Sequence, residues 1–119
     1  MHPRPVELLL VEDNPGDILL IRQTLAHEPF PVSVHVALDG EQAIHMLAEQ
    51  YVKPDLVILD LKLPKVSGLS FLERCQLEAP IVLFSSLTRP DDLRRECVQQ
   101  VSQIVRNWAF PDGLPASAR

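Results

Sequence analysis

The sequence predicts a doubly wound α/β domain built on a parallel sheet of five strands. Three observations carry that expectation. Five short runs rich in Val, Ile and Leu are separated by four segments with apolar residues at three-to-four spacing, so strand and helix alternate as βαβαβαβαβ. Three of the runs are apolar almost throughout, the pattern of strands covered on both faces by helices. At 119 residues the chain has room for one hydrophobic core and is read as a single domain over 1–119.

The first run, VELLLV (6–11), ends against EDNPGD, where Asn14 is placed to cap a helix carrying Pro15 in its first turn. Ile18, Leu19, Ile21, Leu25 and Ala26 form the apolar face of that helix. VSVHVA (32–37) is the second strand. Asp39 followed by Gln42 has the spacing of a capping box, ahead of a helix carrying Ala43, Ile44, Leu47 and Ala48. DLVILD (55–60) is the third strand, and SGLSFLERCQL after it sets Leu69, Leu72 and Cys75 on one helical face with Ser67 as cap. IVLFS (81–85) is the fourth strand. In RPDDLRRECVQQV, Leu93, Cys97 and Val101 share a face, and Asp91 and Asp92 suit a helix amino end, where unpaired amides favour negative charge. SQIVR (102–106) reads as the fifth strand and closes a recognisable core at 6–106. Pro111, Gly113 and Pro115 make 107–119 an irregular tail. A fifth helix is missing from this reading, which leaves one flank of the sheet bare unless Trp108, Phe110, Leu114 or a partner covers it.

Composition excludes several classes. A net charge of −5 disfavours a nucleic-acid surface, and the local cluster of Arg89, Arg94 and Arg95 is interleaved with Asp91, Asp92 and Glu96. Cys75 and Cys97 are too few for a disulfide scaffold and read as buried small apolar residues in a reducing compartment. The apolar run near the amino terminus is too short to span a membrane and no small-residue cleavage site follows it. A cytoplasmic protein with no membrane partner is expected.

The acids hold the chemistry. In an open parallel sheet, ligands bind beyond the carboxyl ends of the strands. Glu12 and Asp13 follow the first strand and Asp60 ends the third. If those strands are neighbours, as in one of the two common doubly wound orders, three carboxylates converge, which suits a partly hydrated Mg²⁺. Asp60, fixed by the apolar LVIL before it, is then the best nucleophile toward a phosphoryl group. Ser85 offers a hydroxyl at the same edge, with Ser86 beside it. The plain alternative is that the acids cap helices or face water and that the serines are ordinary loop residues. A flavin-binding protein fits poorly, since two carboxylates in EDNPGD would repel a bound phosphate.

With those residues in place, LLLVEDNPGDILLIRQTL and PDLVILDLKLPKVSGLSFLE resemble the opening and the phosphorylation loop of response-regulator receiver domains. The flavour of EDNPGD and LPKVSG resembles the stand-alone receivers paired with bacterial phytochrome-type sensor kinases. The resemblance implies a flavodoxin-like sheet of order 2-1-3-4-5. It implies Asp60 as phosphoacceptor, with Mg²⁺ held by Glu12, Asp13, Asp60 and the backbone carbonyl of Lys62. Ser85 matches the hydroxyl that moves toward the phosphoryl group, and Pro64 and Gly68 shape the loop. In-line counting from Ser85 puts Asn107 and Trp108 where the family has Lys-Pro, with Arg106 as the nearby cation. Ile104 falls where many members carry an aromatic switch residue.

The implied function is a phosphoacceptor in a two-component phosphorelay, taking a phosphoryl group from a histidine kinase and signalling by protein contact. Its implied partners are a bacteriophytochrome-type sensor kinase, a downstream phosphotransfer protein and, through the bare flank, a second copy of the chain. Its catalysis is limited to its own phosphorylation and slow dephosphorylation. The alternative is a pseudo-receiver that docks without phosphorylation.

Overall fold

A computed structural model describes residues 4–49, 51–60, 81–84 and 91–113, with the side chains of 60, 82–84 and 91–98 outside the description. The elements are β1 (Val6–Val11), α1 (Pro15–Ala26), β2 (Val32–Ala37), α2 (Gly40–Ala48), β3 (Leu56–Asp60), β4 (Ile81–Phe84) and α3 (Asp91–Ala109). The helix expected over SGLSFLERCQL lies outside the described residues.

The strands form one parallel sheet in the order β2-β1-β3-β4, so the first and third strands are neighbours as the acid argument requires. Register runs Leu8↔Leu56 to Val11↔Leu59 between β1 and β3, and Val6↔Val32 to Val11↔Ala37 between β1 and β2. Alternation along β1 and β3 then divides the core. Leu8, Leu10, Leu56 and Ile58 pack with Ile21 and Leu25 of α1, while Leu9, Val11, Val57 and Leu59 pack with Ala43 of α2. Every one of these eleven side chains is buried, which explains why the runs are apolar without alternation.

Both expected caps are present. Asn14 Oδ1 accepts the Asp17 amide at 3.1 Å, and Asp39 Oδ1 accepts the Gln42 amide at 2.7 Å. Gln42 reaches back to the Leu38 amide, one residue earlier than a strict capping box would have it. The apolar face of α1 is narrower than expected. Asp17, Ile21 and Leu25, at four-residue spacing, are its buried positions, and Leu19 is 56% exposed because two residues along a helix is a turn to the far side.

The carboxyl-terminal third corrects the expectation most. Residues 102–106 are not a fifth strand: they are the middle of α3, a single helix of 19 residues. The physical reason is an unbroken four-residue repeat, Cys97, Val101, Val105 and Ala109, with neither Gly nor Pro until Pro111. The short β-branched pair Ile104–Val105 is carried along by that repeat. The tail accordingly begins at Phe110, three residues later than expected. Nor is the flank bare: Val101 and Val105 are buried in the core cluster of α1, β1 and β3, and Phe110 meets Phe30 edge-to-face with ring centroids 5.2 Å apart.

An ion pair fastens the amino edge of the sheet. Asp55, ahead of β3, accepts Arg4 through both oxygens at 2.7 Å and the Glu7 amide at 2.9 Å. The hydrogen bond from Arg4 leads in holding the Asp55 carboxyl below its ordinary pKa; burial opposes it, and the Glu7 amide and the charge of Arg4 add to it. A carboxyl lowered on folding contributes stability above its unfolded pKa, and that contribution is lost as pH falls through the folded value. Acid titration of the unfolding midpoint should therefore drop less steeply below about pH 4 for Asp55→Asn than for wild type, with only a small cost at neutral pH because Arg4 is largely solvated.

Candidate functional site

Three acids sit at the carboxyl edge of β1 in three different environments. The Glu12 amide donates to Ala37 O at 2.9 Å, so the ladder of β1 with β2 continues one residue past Val11 and carries Glu12 with it. The Glu12 side chain is 0% exposed, and its Oε1 accepts the Asn14 amide at 3.0 Å. Asp13, next along, is exposed. Asp17 is 1% exposed in the first turn of α1, where the amide ends of the helix favour a carboxylate. Asn14 ties these together: its amide holds Glu12 and its side chain caps the turn that carries Asp17.

Asp60 ends β3, paired in register with Phe84 of β4. Extending Val11↔Leu59 by one step sets the Asp60 backbone beside that of Glu12, across a single strand spacing. The sheet thus brings Glu12, Asp13 and Asp60 to one edge. Ser85, Ser86 and Lys62 lie outside the described residues. Among the described residues no group of three His, Cys, Asp or Glu forms a ready metal cage; the Asp60 side chain and the Lys62 carbonyl are not part of that set. A buried Glu and an exposed Asp on consecutive residues, with the backbone of Asp60 one strand away, supply the hard oxygen donor types that fit a partly hydrated divalent cation.

Arg106 and Asn107 are not at this edge. α1 leaves the carboxyl edge at Pro15 and runs back, and the chain re-enters the sheet at the amino edge, where the Val6 amide donates to Pro31 O at 3.0 Å. Arg106 reaches Glu28, just beyond the end of α1, with Nε at 3.1 Å and Nη2 at 2.6 Å from Oε2. Ser102 Oγ donates to the other Glu28 oxygen. Asn107 accepts from Gln103 on the exposed face of α3. Counting in line from Ser85 assumed a strand here, and a helix rises 1.5 Å per residue where a strand rises more than twice that, so position-by-position transfer fails. Ile104 is excluded from a switch position on the same ground. Trp108 lies with Pro5, Val6, Phe30 and Pro31 in a groove at the amino edge of the sheet.

Two features escaped the sequence. Asp17 stood in the quoted EDNPGD with no role, although its spacing to Ile21 and Leu25 marks it as inward-facing. Glu28 is separated from both Ser102 and Arg106 by more than seventy residues of chain, and nothing local signals their meeting.

A family model described as the response regulator receiver domain matches residues 8–106. A probable methanogenesis regulatory protein, FilR2, of Methanothrix harundinacea is 35% identical over 118 residues, which covers 91% of this chain and 76% of that protein. The nitrate/nitrite response regulator NarL of Escherichia coli is 35% identical over 95 residues, 77% of this chain and 43% of NarL. The chain thus spans under half of NarL. Among solved structures, the bacteriophytochrome response regulator AtBRR aligns at 34% identity and TM-score 0.62 over 80% of this chain and 76% of its own. The phosphorylated cyanobacterial phytochrome response regulator RcpA aligns at 29% identity and TM-score 0.70 over 94% of this chain and 99% of its own.

Proposed function

Because the chain belongs to the response regulator receiver domain family, we propose that it accepts a phosphoryl group on Asp60 from a histidine kinase and signals by protein contact. The observation that carries this reading is the pairing of β1 with β3, which sets the Asp60 backbone beside buried Glu12 at one edge of the sheet. Receiver domains interact with histidine kinases and bind Mg²⁺ generally, and a similar solved structure is the Mn²⁺-bound form of response regulator Rcp1.

In the proposed step an Asp60 oxygen attacks phosphorus while the phosphorus–nitrogen bond of phosphohistidine breaks. Its electron pair leaves on the imidazole, which takes up a proton. Mg²⁺, when bound, would supply charge neutralisation for the transferred group. Glu12, Asp13 and Asp60 with the Lys62 carbonyl would hold it, and Asn14 keeps Glu12 in place through its amide. Ser85, with Ser86 next to it, would donate to a phosphoryl oxygen. The resemblance to the phytochrome response regulators AtBRR and RcpA supports a kinase of the bacteriophytochrome type; a downstream phosphotransfer protein as the next acceptor and a cytoplasmic setting belong to the same proposal. No described helix is long and apolar enough to cross a membrane.

A second reading is a phosphorylation-independent docking module, favoured by the placement of Arg106 and Asn107 away from the acids. The two are separated by incubating the chain with acetyl phosphate in Mg²⁺ or in chelator and weighing the intact protein. The receiver reading expects one added phosphoryl mass in Mg²⁺ and none in chelator. Heat of Mg²⁺ binding, read by calorimetry at millimolar metal, should be present; its absence, together with no mass gain, would establish the docking module instead.

A further inference from the structure

We infer that Asn14 and Gly16 are positioning residues that set the preference of the acid edge for Mg²⁺ over a larger divalent cation. The inference rests on the receiver reading and deepens it. Asn14 commits three polar groups at once. Its amide donates to Glu12 Oε1 at 3.0 Å, its carbonyl accepts the Ile18 amide at 3.0 Å, and its side-chain oxygen accepts the Asp17 amide at 3.1 Å. The last two bonds tie residue 14 to the first turn of α1, and the first ties the buried Glu12 carboxylate to residue 14. Whatever fixes the Asn14 side chain therefore also aims the amide that holds Glu12.

Gly16 leaves that side chain its place. It lies in the first turn of α1 without a positive φ, so its backbone does not require glycine, and glycine is among the poorest residues for a helix. Its surroundings supply the reason. Gly16 is exposed, and a Cβ added there would meet Asn14 Oδ1 at 3.2 Å and, beyond its chain neighbours and its own helix backbone, no other atom within 4 Å. A methyl group at 16 would thus press on the one oxygen that the Asp17 amide holds. The choice of cation follows from how firmly Glu12 is aimed. Mg²⁺ demands near-octahedral donors at about 2.0–2.1 Å, whereas Ca²⁺ accepts looser sets at about 2.3–2.6 Å. A clamped carboxylate suits the first, and one free to swing serves the second almost as well.

Calorimetry of the full chain with Mg²⁺ alone and with Ca²⁺ alone, no phosphoryl donor being present, reads the preference, and thermal midpoints taken in chelator read the fold separately. Asn14→Ala should weaken Mg²⁺ binding about tenfold and Ca²⁺ binding no more than about twofold. Asn14→Ser keeps an oxygen for the Asp17 amide and should restore most of the Mg²⁺ affinity. Gly16→Ala should also weaken Mg²⁺ binding, while its thermal midpoint stays level or rises because Ala favours the helix. A cap that serves only the fold cannot move affinity and stability in opposite directions. Should Asn14→Ala fail to fold, Gly16→Ala still decides. Wild-type Mg²⁺ affinity in either variant would overturn the inference and leave the receiver reading standing, as would equal losses for the two cations. A wild-type chain that binds neither cation would overturn both together.

Discussion

Asp60→Asn takes up no phosphoryl group from acetyl phosphate under conditions that load the wild-type chain. An amide at this position keeps the shape and the strand end but loses the nucleophilic oxygen pair, so the loss should be complete within detection and not a partial slowing. Glu12→Gln separates metal from nucleophile. It keeps a buried, hydrogen-bonded side chain at the end of β1 and removes one of the negative charges offered to Mg²⁺, which should weaken metal binding about tenfold or more and slow loading in step. Raising Mg²⁺ should then recover loading in Glu12→Gln and never in Asp60→Asn. Intact mass after a fixed incubation reads both. Uptake by Asp60→Asn equal to wild type would transfer the phosphoryl group to another residue and end the assignment.

The second large effect lies at the opposite edge. Arg106→Ala leaves the Glu28 carboxylate, 6% exposed, with Ser102 as its remaining donor of the two that hold it in the structure. Breaking such a pair from one side strands a charge in a site built for its partner, a cost of several kcal/mol when both groups are buried. Arg106 is itself 38% exposed, so the expected loss is discounted to about 2–3 kcal/mol. Urea unfolding should show it as a lower midpoint at constant slope. Glu28→Gln in the same chain should recover part of the loss, because a neutral amide is cheaper to bury than a carboxylate. Phosphoryl loading of the surviving folded protein should be unchanged, since this pair is at the amino edge of the sheet.

Most of the sheet was legible because its code is local. VELLLV and DLVILD could be read as strands from apolar content alone, and their adjacency follows from the family order that the motifs imply. Asn14 and Asp39 were readable as caps because a cap needs only a polar oxygen and a free amide three residues on. The acid edge was legible for the same reason: strand ends can be found by the residue that interrupts them. SQIVR was misread because five residues hold too little of either period to decide between strand and helix, and the repeat that decides it begins five residues earlier, at Cys97. The burial of Glu12 beside the exposure of Asp13 follows from which face each side chain takes, and composition does not encode that. The lock of Glu28 by Arg106 is a product of tertiary docking alone.

α1 is held at both of its ends. Asn14 fastens its start to the acid loop, and Glu28, just past its finish, is gripped by α3. Twelve residues of helix make a strut about 18 Å long between them. A rod pinned top and bottom cannot bend or slide independently at one end. Any push delivered by new charge at the rim must therefore arrive at the far helix as a displacement of the whole rod, which makes the distance between α1 and α3 the natural ruler for whether such a push has occurred.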